Sequence, residues 1–377
     1  MKRQYRNFYV ALLGAVALTL NSNNAAAQTV ASDNATQEKM LQVKNHRERL
    51  WQVLDQSRAN DYVPVFFNIH FDAKQGWKAV QSHIDWLRTT HVDFVNVKYE
   101  YFPKIQRVES PADWKNIREW DPSEWDEQLL VVRELKRELG DDFLIIPTVF
   151  SPLRVLIQTA GSSFSSDREG RQRIIKIIKQ DPKAIVPALE KVTRQLVYYI
   201  RAARQAGADG FYISSQGDDL EEFGGKVFHD ILKPYDRQLS DVAAEVAPFN
   251  ILHICESGGH FTAETFNDYL DYPGSVINPP LHNWQGKGLT LKEISSLFRR
   301  PILGGLNNRG AIKDGTWEEL KAEIDQILEN APQNFIFGAD DSLPNDVDQE
   351  TVRRAVDYIH TRRLTHNEEL KNKELKN

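Results

Sequence analysis

Apolar residues gather along the chain in short runs rich in β-branched and aromatic side chains, separated by longer amphipathic stretches. Eight such runs stand out: Val63–Ile69, Asp93–Tyr99, Phe143–Phe150, Gly210–Gln216, Asn250–Glu256, Val276–His282, Pro301–Asn307 and Phe335–Asp341. Most are almost continuously hydrophobic and do not alternate. Strands covered on both faces read that way, and such strands belong to parallel sheets. Between the runs, Trp125–Leu139 is amphipathic and stops at Gly140, and Ala184–Ala206 has helical spacing and stops at Gly207. Trp317–Leu328 and Thr351–Ile359 follow the same pattern. Strands and helices that alternate eight times predict an α/β fold, a closed (β/α)8 TIM barrel over residues 45–364.

One stretch does not fit a regular barrel unit. Residues 148–181 carry Gly161, Ser162, Ser163, Ser165 and Ser166, then Arg168, Arg171 and Arg173. The composition predicts a long loop or a short helix over the barrel mouth.

The first 27 residues have a different character. Lys2, Arg3 and Arg6 precede an apolar run from Val10 to Leu20, and Ala25-Ala26-Ala27 follows a polar stretch. A basic start, a short greasy run and small residues form the pattern of a secretory signal peptide. The run has 11 residues, whereas a membrane span needs about 20. Cleavage after Ala27 and export to the periplasm or medium are expected, with a loose leader over 28–44 and a polar tail over 365–377. Cleavage would remove three basic residues and no acidic one, taking the formal charge from −6 to −9. An acidic chain with no basic stripe is a poor partner for nucleic acid, and no membrane span is expected in the mature chain. Cys255 is the single cysteine, so no internal disulfide can form. A lone thiol in an oxidising compartment is either buried or used.

Barrel chemistry sits at the carboxyl ends of the strands. That rule selects Asn68 and His70, Glu100, Ser214 and Gln216, His253, Cys255 and Glu256, Asn278 and His282, Asn307 and Arg309, and Asp340 and Asp341. Within this set His253-Ile254-Cys255 is the sharpest motif. Residues two apart on a strand share a face, and an imidazole beside a thiolate suits zinc or another divalent ion. Ordinary barrel packing is the competing reading of the same pair.

The stretch Ile251-Leu252-His253-Ile254-Cys255-Glu256 resembles the His-x-Cys strand of the corrinoid-dependent, thiol-methylating branch of the uroporphyrinogen decarboxylase (URO-D) family. Pro301–Leu306 resembles the family's glycine pair, Phe335–Pro344 its last strand, Ala206–Gly210 its strand-four entry and Pro64–Asn68 its first strand. The likeness covers roughly residues 45–362. It implies a zinc site with His253, Cys255 and a third ligand at the last strand. The family places a second cysteine there, and Asp341 occupies that position in this chain. An Asp oxygen can ligate zinc, but it makes a harder site. The true decarboxylases carry an arginine-rich segment after the first strand. Here Asn68-Ile69-His70-Phe71-Asp72 follows it, so Arg154, Arg168 or Arg309 would have to hold substrate carboxylates.

These features imply an exported enzyme acting on a small molecule. His253, Cys255 and Asp341 would hold a metal, and Glu100, Glu256, Gln216 and His70 would move or place protons. Asn68, Ser214, Asn278, His282, Asn307, Arg309 and Asp340 would contact substrate. Methyl transfer by resemblance calls for a corrinoid partner protein, and export argues against one. A metal-independent carboxy-lyase is the second reading. A non-catalytic small-molecule or tetrapyrrole-binding protein is the third, with eight tryptophans as aromatic surface.

Overall fold

The computed structural model describes residues 46–55, 57, 62–98, 102, 107–160, 168–255, 261–282 and 287–374, without the side chains of 168, 218 and 362–374. Helix α1 (His46–Leu54) comes first. The strands are β1 (Val65–Phe66), β2 (Phe94–Val97), β3 (Leu144–Phe150), β4 (Gly210–Gln216), β5 (Phe249–Cys255), β6 (Val276–Asn278), β7 (Ile302–Leu306) and β8 (Phe335–Ala339). All pair in parallel, in the order β1-β8-β7-β6-β5-β4-β3-β2. The two ends of that order meet at Asp93. Its N–H donates to the Val65 carbonyl at 2.9 Å, and its carboxylate accepts the Val65 N–H at 2.6 Å. The sheet thereby closes into the expected (β/α)8 barrel.

The helices α2 (Gly76–Thr90), α3 (Asp126–Leu139), α4 (Pro152–Thr159), α5 (Arg168–Gln180), α6 (Val186–Ala206), α7 (Asp218–Phe223), α8 (Lys233–Val246), α9 (Leu291–Phe298), α10 (Ala311–Asp314), α11 (Trp317–Asn330) and α12 (Gln349–Glu374) complete the chain. Period-2 and period-3.6 patterning divides the buried residues into two cores. The inner core takes a residue from every strand, including Phe66, Phe94, Ile146, Tyr212, Ile251, Val276, Leu303 and Ile336. The outer core lies between strands and helices. Helix α1 joins the inner core through Leu50 and Val53. Its His46 reaches Asp93 at 2.8 Å and its Arg47 reaches Asp209 at 2.7 Å, and both acids precede strands. The amino end of the barrel is therefore plugged, which leaves the carboxyl end for ligands.

β4 coincides with its predicted run and β5 keeps the length of its own, one residue earlier, while the other strands are shorter than the apolar runs predicted. β6 stops at Asn278 because Pro279 and Pro280 have no N–H to give to a ladder. β1 has two paired residues, and Ile69 adds a bridge to Leu343. Of the two alternatives for 148–181, a long loop or a short helix, the described residues take the helical one. The stretch holds the end of β3, then α4 and α5. Ile174, Ile175, Ile177 and Ile178 recur at helical spacing and are buried, so α5 is part of the helical layer. Residues 161–167 lie outside the described ones. Helix α12 also runs on to Glu374, through the segment expected as a tail.

Candidate functional site

Extending the inward face of each strand toward its carboxyl end replaces apolar residues with polar ones. Above Phe66, Phe94, Ile146, Tyr212, Ile251 and Val276 come Asn68, Asn96, Thr148, Ser214, His253 and Asn278, all buried. Asn96 donates to the Ile146 carbonyl at 2.8 Å and to Thr148 Oγ1 at 2.9 Å. The Tyr212 hydroxyl donates to Asn278 Oδ1 at 2.5 Å, while Asn278 Nδ2 donates to the carbonyls of Leu303 and Ala339. These bonds satisfy the buried side chains of Asn96, Thr148, Tyr212 and Asn278 and tie the strands together as a floor.

His253 and Cys255 stand on that floor at the end of β5. Their register is fixed by pairing with Ser214 and Gln216 of β4. His253 is buried, and its ring lies 5.1 Å from that of Tyr212. Its Nδ1 faces the Asn278 carbonyl at 3.3 Å. A carbonyl only accepts, so Nδ1 carries the proton and Nε2 keeps its lone pair. Nε2 lies 3.9 Å from Asp341 Oδ1, and Cys255 Sγ lies 3.7 Å from Asp341 Oδ2. One donor atom from each of the three residues falls within 4.8 Å of the others. Around a tetrahedral ion with bonds of about 2.0–2.3 Å, neighbouring ligand atoms sit roughly 3.3–3.5 Å apart. The two gaps to Asp341, 3.9 and 3.7 Å, lie a little above that range, while the set as a whole spans up to 4.8 Å, so the three side chains must draw together by up to about an ångström to hold such an ion.

The electrostatics suit the same use. Burial lowers the His253 pKa and Lys98 adds to the effect, so the ring stays neutral as a ligand must be. Desolvation alone would raise Asp341, but His253, Lys98, the Ser342 N–H and His70 together hold its carboxyl below the ordinary value. Tyr212 is pushed up by burial and by Asp341 and Cys255, so it remains a hydrogen-bond donor.

Other predicted residues fall into place around this trio. His282 Nδ1 lies 2.7 Å from Asp340 Oδ2, and Asp340 Oδ1 accepts the Asn308 N–H at 3.1 Å. Gln216 is buried at the end of β4, and its carbonyl accepts from the Tyr269 hydroxyl. The Asn68 carbonyl accepts the Leu343 N–H. Asn307 Oδ1 accepts the Arg309 N–H at 2.9 Å, and the Arg309 side chain is exposed. Glu100 and Glu256 lie outside the described residues. Trp86, Trp114, Trp120 and Trp125 are buried in the outer core as packing residues, while Trp284 is also outside the described set.

Lys98 was not legible as a site residue. It is only 8 % exposed, and its Nζ donates to Ser342 Oγ at 2.5 Å and lies 3.1 Å from His70 Nε2. The signal was available in its parity with Phe94 and Asn96, which carries the inward face one step past the strand.

The sequence pattern of uroporphyrinogen decarboxylase (URO-D) matches residues 90–362. A search of curated proteins gave no match. Among solved structures, a methyltransferase from Methanosarcina mazei superposes with a TM-score of 0.65 at 15 % identity, covering 84 % of this chain and 98 % of that one. A candidate vitamin-B12-independent methionine synthase from Listeria monocytogenes gives 0.45 at 12 % identity, covering 81 % and 98 %. At these identities the likeness concerns the fold. The family match spans well over half of the sequence and includes both β5 and β8, and on that ground the chain belongs to the uroporphyrinogen decarboxylase (URO-D) family.

Proposed function

We propose that the chain is a metal-dependent enzyme of the methyltransferase-like kind, acting on a small protic substrate such as a thiol. The observation that carries this reading is the convergence of His253, Cys255 and Asp341 within 4.8 Å at the carboxyl end of the barrel. The three residues would hold zinc or another divalent ion and leave a fourth position open. A bound ion supplies Lewis-acid stabilisation of a negative sulfur or oxygen. The Asn278 carbonyl orients His253, and the Lys98 ammonium helps hold Asp341 as an anion. Asn68, Ser214, Gln216, Asn307 and Arg309 are the polar groups we assign to substrate contact.

The test is elemental analysis of protein purified without added metal. One divalent ion per chain is expected, falling to a small fraction in His253→Ala and Cys255→Ala. A folded wild type without metal, or variants with unchanged content, would overturn the reading.

A decarboxylase is the second reading. Its support is Lys98, a buried cation that could face a carboxylate where the arginine-rich segment is missing. Incubation with uroporphyrinogen decides between the two, since the metal-dependent reading expects no coproporphyrinogen. We also propose export with cleavage after Ala27, to be checked by sequencing the mature amino terminus, which should begin at Gln28.

A further inference from the structure

We propose that His282, positioned by Asp340, is the group that takes the proton from a protic substrate at this site. The proposal rests on the metal-dependent reading above and extends it to a second constellation on the same rim. Asp340 is the inward-facing continuation of β8, and it precedes Asp341 in the chain. Its carboxylate lies close enough to Tyr212 to act on that hydroxyl together with Asp341 and Cys255, so it shares the mouth with the three candidate ligands. His282 follows β6, whose Asn278 orients His253. The β6 and β8 ends are tied together by Asn278 Nδ2 donating to the Ala339 carbonyl at 3.2 Å.

The dyad has a defined proton arrangement. Asp340 Oδ1 is occupied by the Asn308 N–H, and Oδ2 accepts from His282 Nδ1 at 2.7 Å. A carboxylate accepts, so the ring carries its proton on Nδ1 and presents the Nε2 lone pair. Nε2 has no hydrogen-bond partner among the described residues. Asp340 is only 10 % exposed and His282 is 30 % exposed, so a buried anion backs a ring open to the mouth. This is the base–orienter relation of catalytic dyads, in which the carboxylate fixes the tautomer and stabilises the imidazolium. Among the described residues, the charged side chains at this rim include Asp340 and Asp341 after β8, Lys98 and His70, which act on Asp341, and Arg309 after β7.

The step balances within the site. The S–H bond of a thiol breaks, its electron pair stays on sulfur, and the proton passes to His282 Nε2 directly or through one water. A bound ion would offset the negative charge left on sulfur, and Asp340 offsets the positive charge gained by the ring.

Titration calorimetry of the zinc-loaded full chain with 2-mercaptoethanol, in buffers of different ionisation enthalpy near neutral pH, counts the protons released to solvent. The wild type should release at most about half a proton per thiol bound. His282→Gln should release about one, with unchanged zinc content and melting temperature. Asp340→Asn should move the count in the same direction. Release of a full proton by the wild type, or an unchanged count in His282→Gln, overturns the proposal while zinc and thiol binding stand. A chain that takes up no zinc, or whose zinc form binds no thiol, overturns the metal-dependent reading and this proposal with it.

Discussion

Asp93 holds Val65 by both backbone groups, giving its N–H to the Val65 carbonyl and accepting the Val65 N–H on its carboxylate. The same carboxylate accepts from Tyr62 at 2.7 Å and pairs with His46 at 2.8 Å and His360 at 3.1 Å. One buried side chain thus joins α1, β1, β2 and α12 at the seam where the barrel closes. Asp93→Ala orphans these partners at once, and loss of a buried ion-pair partner costs about 3–5 kcal/mol. Urea unfolding should show a drop of that order. Burial raises the Asp93 pKa, but His360 and His46 outweigh it and hold the carboxyl far below its ordinary value. A depressed folded pKa adds stability above the unfolded pKa of about 4, and that stability is lost as pH falls below it. The wild type should therefore lose stability steeply in acid, and Asp93→Ala should lose less.

Gly210 starts β4 where the chain enters the barrel beside Phe249. A Cβ at this position would lie 1.6 Å from the Phe249 carbonyl oxygen, which is backbone and cannot move without breaking the β4–β5 ladder. Gly210→Ala should fail to give soluble folded protein, or should lose more than about 3 kcal/mol. Gly140→Ala is the comparison. It meets nothing within 4 Å and bears only backbone strain, its φ of +61° and ψ of −136° lying in a region kept for glycine at a cost of about 1–3 kcal/mol, with no clash to add. Equal behaviour of the two variants in a thermal melt would contradict the argument.

The eight strands were legible because burial on both faces writes itself into a sequence as unbroken apolar runs. Their ends were less so, since Asn68, Lys98 and Asp340 continue the inward face after the ladder has stopped, and side-chain parity outlasts hydrogen bonding. His253 and Cys255 could be paired from spacing alone because a strand enforces it. That Asp341 meets them could not, because 86 residues separate Cys255 from Asp341 and only barrel closure joins them. Lys98 was hidden for another reason. A lysine after an apolar run usually signals solvent, and only the loop after β8, through Ser342, shows why it is enclosed. Helix α5 was left open between loop and helix because the charges Arg168, Arg171 and Arg173 masked an isoleucine stripe at helical spacing.

Asp236 on α8 is buried with little to support a charge. Its Oδ2 accepts from the Tyr272 hydroxyl at 3.2 Å, while Oδ1 has no partner. Burial pushes its pKa up to about 6, and the nearby hydroxyls of Ser215 and Tyr272 only partly oppose that. The Ser215 hydroxyl lies outside hydrogen-bond geometry but close enough to favour the anion. A raised folded pKa gives stability that is complete below about pH 4 and lost as pH rises through about 6. Asp236→Asn removes that loss. The variant should be more stable than wild type at pH 7 by about 2–3 kcal/mol and similar to it near pH 4. Guanidinium unfolding across this range checks it, and a wild type that gains stability from pH 4 to 7 relative to the variant would refute it.

Asp341 is where this chain departs from a second cysteine, and its position between His253 and Cys255 makes the consequence measurable. Its oxygens lie 3.9 Å from His253 Nε2 and 3.7 Å from Cys255 Sγ, so a different ligand atom at this position still reaches the same point. Asp341→Asn keeps the shape and removes the negative charge, and should weaken zinc binding by 10-fold or more, as measured against a chromophoric chelator. Asp341→Cys replaces a hard oxygen with a thiolate on a side chain of similar reach. Soft ligands favour zinc over magnesium and manganese, so this variant should bind zinc at least about 10-fold more tightly than wild type and discriminate more strongly against manganese. The two substitutions displace affinity in opposite directions from one position. A site that merely packs His253 and Cys255 into the barrel would show neither change, and equal zinc affinity in wild type, Asp341→Asn and Asp341→Cys would remove Asp341 from the ligand set.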